Sequence, residues 1–103
     1  MRKFLCIAAA TSLGSTGALA ATTSHFAGSN LLPLAKISLT QARATAIAAR
    51  PGQITDQELE KERGGSGLRY SFDIKANGKT FEVGVDARTG KVLENDAEGA
   101  NPD

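Results

Sequence analysis

The stretch Tyr70 to Leu93, YSFDIKANGKTFEVGVDARTGKVL, decides how the rest of the chain is read. Tyr70, Phe72 and Ile74 alternate with Arg69, Ser71, Asp73 and Lys75, the pattern of a strand with one face buried. Asn77-Gly78 follows, the strongest two-residue signal for a type I′ hairpin. Phe81, Val83 and Val85 then alternate with Thr80, Glu82, Gly84 and Asp86. A turn at Asn77-Gly78 pairs Ala76 with Lys79, Ile74 with Phe81, Phe72 with Val83 and Tyr70 with Val85. Every apolar side chain then lands on one face, and a slip of one residue scatters them. Gly84 leaves a gap opposite Ser71 that relieves packing or marks a bulge.

Asp86-Ala87-Arg88-Thr89-Gly90 reverses the chain before a further short strand at Val92-Leu93. Aspartate can accept from a backbone N–H two residues on, and glycine supplies a positive φ at the far end. A calcium loop needs several carboxylates in a run, and a phosphate loop needs more glycines and a following helix. Neither pattern is there, so Asp86, Thr89 and Gly90 read as a structural turn.

Upstream, Ile54 to Glu62 reads as another strand, with Asp56, Glu58, Glu60 and Glu62 on one side and Gln57, Leu59 and Lys61 on the other. Gly64-Gly65-Ser66-Gly67 turns it into the Tyr70 strand. A turn centred on Gly65-Ser66 sets Leu59 beside Phe72 and brings Glu58, Asp73 and Glu82 side by side on the charged face. That row is either a solvated surface, softened by Arg69, Lys75 and Lys79, or a place for a cation or a basic partner. Asp56, Glu58, Leu59, Glu60 and Glu62 form a candidate sheet edge. Its charges guard against aggregation, and the same edge can take up an extended peptide by strand addition.

Before the strands, Ser38-Leu39-Thr40-Gln41 is a capping box, and Ile37 can staple onto Ala42. LTQARATAIAAR is a strong helix former whose Leu39, Ala42, Ala46 and Ala49 share a face, with Ile47 beside them. Arg50 suits the C-terminal dipole, and Pro51-Gly52 ends the helix. The elements predict an α+β fold: one amphipathic helix packed on a three- to four-stranded antiparallel sheet.

The N-terminus reads as a targeting signal. Arg2 and Lys3 precede an uncharged apolar run that closes on Ala18-Leu19-Ala20, a small-x-small cleavage pattern. The run is shorter than the roughly 20 apolar residues of a membrane span, an uncleaved anchor being the alternative. Cys6, the one cysteine, lies too early for a lipoprotein site. The expected organisation is a signal peptide at 1–20, a flexible leader at 21–36, a domain at 37–93 and an acidic disordered tail at 94–103. Loss of Arg2 and Lys3 takes the net charge from +1 to about −1, with no general pull toward nucleic acid. Without cysteine beyond the signal, disulfides and thiolate sites are ruled out there. A domain of this size buries only about 60% of its unfolded surface and has no room for an enclosed active site. His25, the one histidine, sits in the leader without a neighbouring carboxylate, and Ser66 between glycines is a turn residue. No catalytic residue, metal site or cofactor is expected.

The order of helix, acidic strand, YSFDI and NGKTFEVGVDARTGKVL closely resembles the PepSY domain of thermolysin-type peptidase propeptides and small secreted bacterial proteins. The resemblance is carried by Tyr70, Phe72, Phe81, Val83, Val85, Asp86, Thr89, Gly90 and Val92, and it covers about Ile37 to Leu93. It implies a broadly cystatin-like arrangement and a non-catalytic module, secreted or periplasmic, that binds a protein or peptide such as a secreted peptidase. No peptidase domain accompanies it in this sequence, so the implied action is in trans. An ion- or ligand-sensing accessory role, resting on Glu58, Asp73 and Glu82, is the alternative.

Overall fold

The computed structural model describes residues 26–99, so the expected signal peptide, His25 and residues 100–103 lie outside the described residues. A short 3-10 helix, Ser29–Leu34, leads into helix α1, Leu39–Ala49. Four strands follow: β1, Gln53–Lys61; β2, Leu68–Ala76; β3, Lys79–Asp86; and β4, Val92–Ala97. They form one antiparallel meander in the order β1-β2-β3-β4, with α1 across one face.

The capping box forms as expected. The Gln41 N–H donates to Ser38 Oγ at 3.1 Å, and the Ser38 N–H donates to Gln41 Oε1 at 3.0 Å. Leu39, Ala42 and Ala46 are buried against Leu59, Leu68, Tyr70, Phe72, Ile74, Val83 and Val85. Small side chains on α1 let its backbone lie close to the sheet, so the large residues of the core come from β2 and β3. The Tyr70 hydroxyl is not stranded there: it donates to the Ile37 carbonyl at 2.7 Å, and burial pushes its pKa up.

The β2–β3 register is the one the hairpin turn dictates: Ala76 opposite Lys79, Ile74 opposite Phe81, Phe72 opposite Val83 and Tyr70 opposite Val85. Asn77 and Gly78 both have positive φ, 53° and 77°, as a type I′ turn requires. The β1–β2 register differs from the expected one. Leu59 lies opposite Tyr70 and Gln57 opposite Phe72. The glycine-rich turn closes one residue earlier, with the Glu62 N–H donating to the Gly67 carbonyl at 3.1 Å. The slip is two residues along the partner strand, which leaves Leu59 on the core face, so alternation alone could not detect it.

Two expected boundaries are corrected. Residues 26–36 are not a flexible leader. Phe26, Leu31, Leu32 and Ala35 pack against the core, and Ala27 bridges in parallel to Glu58. The acidic segment from Glu94 is not a disordered tail as far as Ala97, because β4 pairs Glu94 with Gly84, Asn95 with Val83 and Asp96 with Glu82. In both places short polar or mixed segments gain their structure from the sheet edge beside them, which no local pattern records.

The tight fit of α1 generates a prediction. Ala46→Leu, which adds a branched side chain at a fully buried position, is expected to cost about 1–3 kcal/mol in urea unfolding. Ala48→Leu on the exposed side of the same helix is expected to stay within about 0.5 kcal/mol of the parent.

Candidate functional site

The sheet face turned away from α1 carries almost all of the charge. Asp56 of β1 lies opposite Asp73 of β2, which lies opposite Glu82 of β3, which lies opposite Asp96 of β4. The expected row of Glu58, Asp73 and Glu82 is therefore half realised. Asp73 and Glu82 are direct neighbours, while the two-residue slip seats Asp56 in the row and moves Glu58 opposite Ser71. Glu58, Asp73 and Glu82 still meet, because all three border one depression of about 200 Å³ with Asp56, Ser71 and Glu98.

Like charges at this spacing perturb one another. Burial pushes the Asp73 carboxyl up, and the charges of Glu98 and Asp56 add to it. Burial also raises Glu82, with Glu94, Asp73, Glu98 and Glu60 acting in the same direction. Glu60 is raised by burial and by its neighbour Glu58, against a hydrogen bond from the Ser71 hydroxyl at 2.8 Å. Arg69 is the cation that offsets part of this. Its guanidinium lies 3.1 Å from Glu94 and 4.0 Å from Glu62, and its stem runs over Gly84. The gap expected at Gly84 is thus filled from the neighbouring strand, and a β3–β4 register shift also falls between Gly84 and Val85. Among the described residues no group of three or more His, Cys, Asp or Glu is placed to hold a metal ion.

Asp86 is the opposite case. It ends β3 on the same face, yet it is 1% exposed. Its Oδ2 accepts from the Ser66 N–H at 2.6 Å, and its Oδ1 accepts from the Ser66 hydroxyl at 2.7 Å, the Arg88 N–H at 2.8 Å and the Thr89 N–H at 3.0 Å. Burial alone would raise its pKa, but these donors outweigh it and hold the carboxyl well below the usual range. The turn closes with the Gly90 N–H donating to the Asp86 carbonyl at 2.9 Å, and the Thr89 hydroxyl accepts from the Lys91 N–H at 3.2 Å. Asp86, Thr89 and Gly90 thus make a local turn, and Asp86 also fastens the β1–β2 turn through Ser66.

The candidate edge on β1 is an edge strand, but it is not an open one. Leu59 is buried, and its outward N–H donates to the Ala27 carbonyl at 2.9 Å. The Gln57 N–H donates to the Asp56 carboxylate at 3.0 Å. Gly28 has φ 84°, and a Cβ there would fall 1.7 Å from the Leu59 carbonyl oxygen, so the crossing segment tolerates nothing larger. Glu60 turns to Ser71 and Glu62 to Arg69. Sequence reasoning placed Arg50 at the end of α1 but missed its partners Phe81 and Asn95. The Arg50 guanidinium stacks 3.9 Å over the Phe81 ring and donates to Asn95 Oδ1 at 3.1 Å, while Asn95 donates to the Ala49 carbonyl at 3.2 Å. The available signal was the alternation of β3 carried on into Val92–Ala97, which sets Asn95 on the helix side.

A meander with one helix on one face and a carboxylate-rich opposite face is a small α+β module. Residues 36–96 match the family described as the peptidase propeptide and YPEB domain, PepSY, and the chain belongs to it. Domains of this family are in general propeptide-like regulatory modules. No curated protein and no solved structure matches the chain, so the cystatin-like description rests on the family resemblance alone.

The two kinds of carboxylate oppose each other in pH. Glu60, Asp73 and Glu82 are raised, so their burial and mutual repulsion weaken the fold at neutral pH, a cost relieved as the pH falls through their folded pKa values. Asp86 is depressed, so its contribution is complete above about pH 4 and is lost as the pH falls further, through its folded pKa. Chemical denaturation across pH is expected to show a stability maximum in the mildly acidic range. Glu82→Gln is expected to flatten the neutral limb. Asp86→Asn is expected to remove the acid limb and to cost about 2–4 kcal/mol at neutral pH.

Proposed function

We propose that this chain is a secreted or periplasmic, non-catalytic binding module that regulates a peptidase or another envelope protein in trans. The observation that carries the reading is the division of labour between the two faces of a sheet within a propeptide-type family. The chain's own helix buries one face, while the other presents Asp56, Glu58, Asp73 and Glu82 around an open depression. A carboxylate-rich face, held on a rigid sheet, favours encounter with a basic partner. Ion sensing at Glu58, Asp73 and Glu82 draws less support, because these carboxylates are not grouped to hold a metal ion. Among the described residues no helix is long and apolar enough to cross a membrane.

The test is hydrolysis of a fluorogenic peptide by a thermolysin-type metallopeptidase with increasing amounts of the purified chain. A saturable fall in rate is expected, weakened by raising salt and by the double change Asp73→Asn, Glu82→Gln. A rate indifferent to the chain, across the secreted peptidases of the same cells, would remove the peptidase reading. A melting temperature raised by millimolar calcium, magnesium or zinc would favour the ion-sensing one.

A further inference from the structure

We infer that the open edge of β4 is where a partner is engaged, by addition of an extended Lys- or Arg-bearing segment of another protein as a fifth strand. This deepens the reading of the chain as a binding module and rests on it. A sheet ordered β1-β2-β3-β4 has two edges. On β1, two successive outward N–H groups are already taken, Leu59 by the Ala27 carbonyl and Gln57 by the Asp56 carboxylate. β4 is different. The Glu98 N–H donates to the Thr80 carbonyl at 2.8 Å, and Asp96 lies opposite Glu82 and Glu94 opposite Gly84. In an antiparallel ladder this phase turns the main-chain groups of residues 94, 96 and 98 toward β3 and those of Asn95 and Ala97 outward. Among the described residues nothing bonds to the outward groups of Asn95 or Ala97.

The strand is also held ready. The Asn95 side chain is fixed between Arg50 and the Ala49 carbonyl, so β4 is anchored to the end of α1 and little order is left to impose on binding. The chemistry of the occupant follows from the charges beside the edge. Glu94 and Asp96 project onto the outer face next to Glu82, with Glu98 at the rim of the same depression. Among the described residues the cation that reaches this group is Arg69, bonded to Glu94. Alternate side chains of an added strand would stand directly beside Glu94 and Asp96, where lysine or arginine is favoured and glutamate or aspartate is repelled. The same charges disfavour a second copy of this chain. Symmetric antiparallel pairing about Asn95 would set Glu94 of each copy opposite Asp96 of the other.

The test uses the full chain, labelled for amide NMR, and two synthetic ten-residue peptides that alternate valine with lysine or with glutamate. The lysine peptide is expected to slow hydrogen exchange at Asn95 and Ala97 and to bind at least about tenfold more tightly than the glutamate peptide. Ala97→Pro removes one outward donor without touching the β3 ladder, a change that edge strands accept. It is expected to weaken peptide binding about tenfold or more while the amides of β2 and β3 keep their exchange rates. Asp96→Lys is expected to reverse the preference between the peptides. Shifts confined to Asp56, Glu58 and Asp73, binding unaltered by Ala97→Pro, or protection of Asn95 and Ala97 by self-association without peptide would each overturn the inference. The peptidase assay keeps the two readings apart. Regulation undiminished in Ala97→Pro sinks the β4 site and leaves the module standing. Lysine-peptide binding at β4 by a chain that regulates no peptidase sinks the peptidase role and leaves the site.

Discussion

The buried carboxylate of Asp86 is the constraint on which the rest of the structure depends. An ionised group that is 1% exposed is tolerable only if its lone pairs are filled, and here three backbone N–H groups and one hydroxyl fill them. Two of the donors belong to the β3–β4 turn and two to Ser66 in the β1–β2 turn, so one side chain fastens both hairpins at the same end of the sheet. The next residue continues the work. The Ala87 carbonyl accepts from the N–H groups of Lys36 and Ile37, each at 2.9 Å, and its own N–H donates to the Leu68 carbonyl at 2.9 Å. The entry to α1 is thereby hung on the same turn. A domain with so small a core has few long-range ties, and this dipeptide supplies several of them.

The rest of the outer face is arranged in the opposite sense. Asp73 and Glu82 face each other across β2 and β3, with Asp56 and Asp96 continuing the row at both ends. Their mutual repulsion is a cost carried by the folded state, reduced by Arg69 and by solvent. The same carboxylates give a rigid surface an excess of negative charge. For the proposed binding role, the helix side supplies a stable platform, and among the described residues the carboxylate side and the outer edge of β4 are not consumed by folding.

Different parts of the fold were legible to different degrees. The β2–β3 pairing could be read residue by residue, because a two-residue Asn-Gly turn leaves one register that keeps Tyr70, Phe72, Ile74, Phe81, Val83 and Val85 on one face. The β1–β2 pairing could not, because Gly64-Gly65-Ser66-Gly67 allows more than one closure, and closures two residues apart bury the same side of β1. The Asp-x-x-Thr-Gly turn was recognisable from its own residues. Its partner Ser66, 20 residues away, was not.

Local chemistry along the chain was therefore enough to determine the capped helix, the alternating strands β1 to β3, which face of each of those three is buried, and the family. Those features depend on neighbours within a few residues, where backbone geometry leaves little choice. Tertiary structure alone decided which carboxylates share a depression, that Phe26 to Leu34 cover the β1 edge, that Glu94 to Ala97 form a strand, and that among the described residues nothing pairs with the outer edge of β4. Such outcomes depend on how distant segments compete for the same hydrogen-bonding groups, and that competition is resolved only when the sheet has assembled.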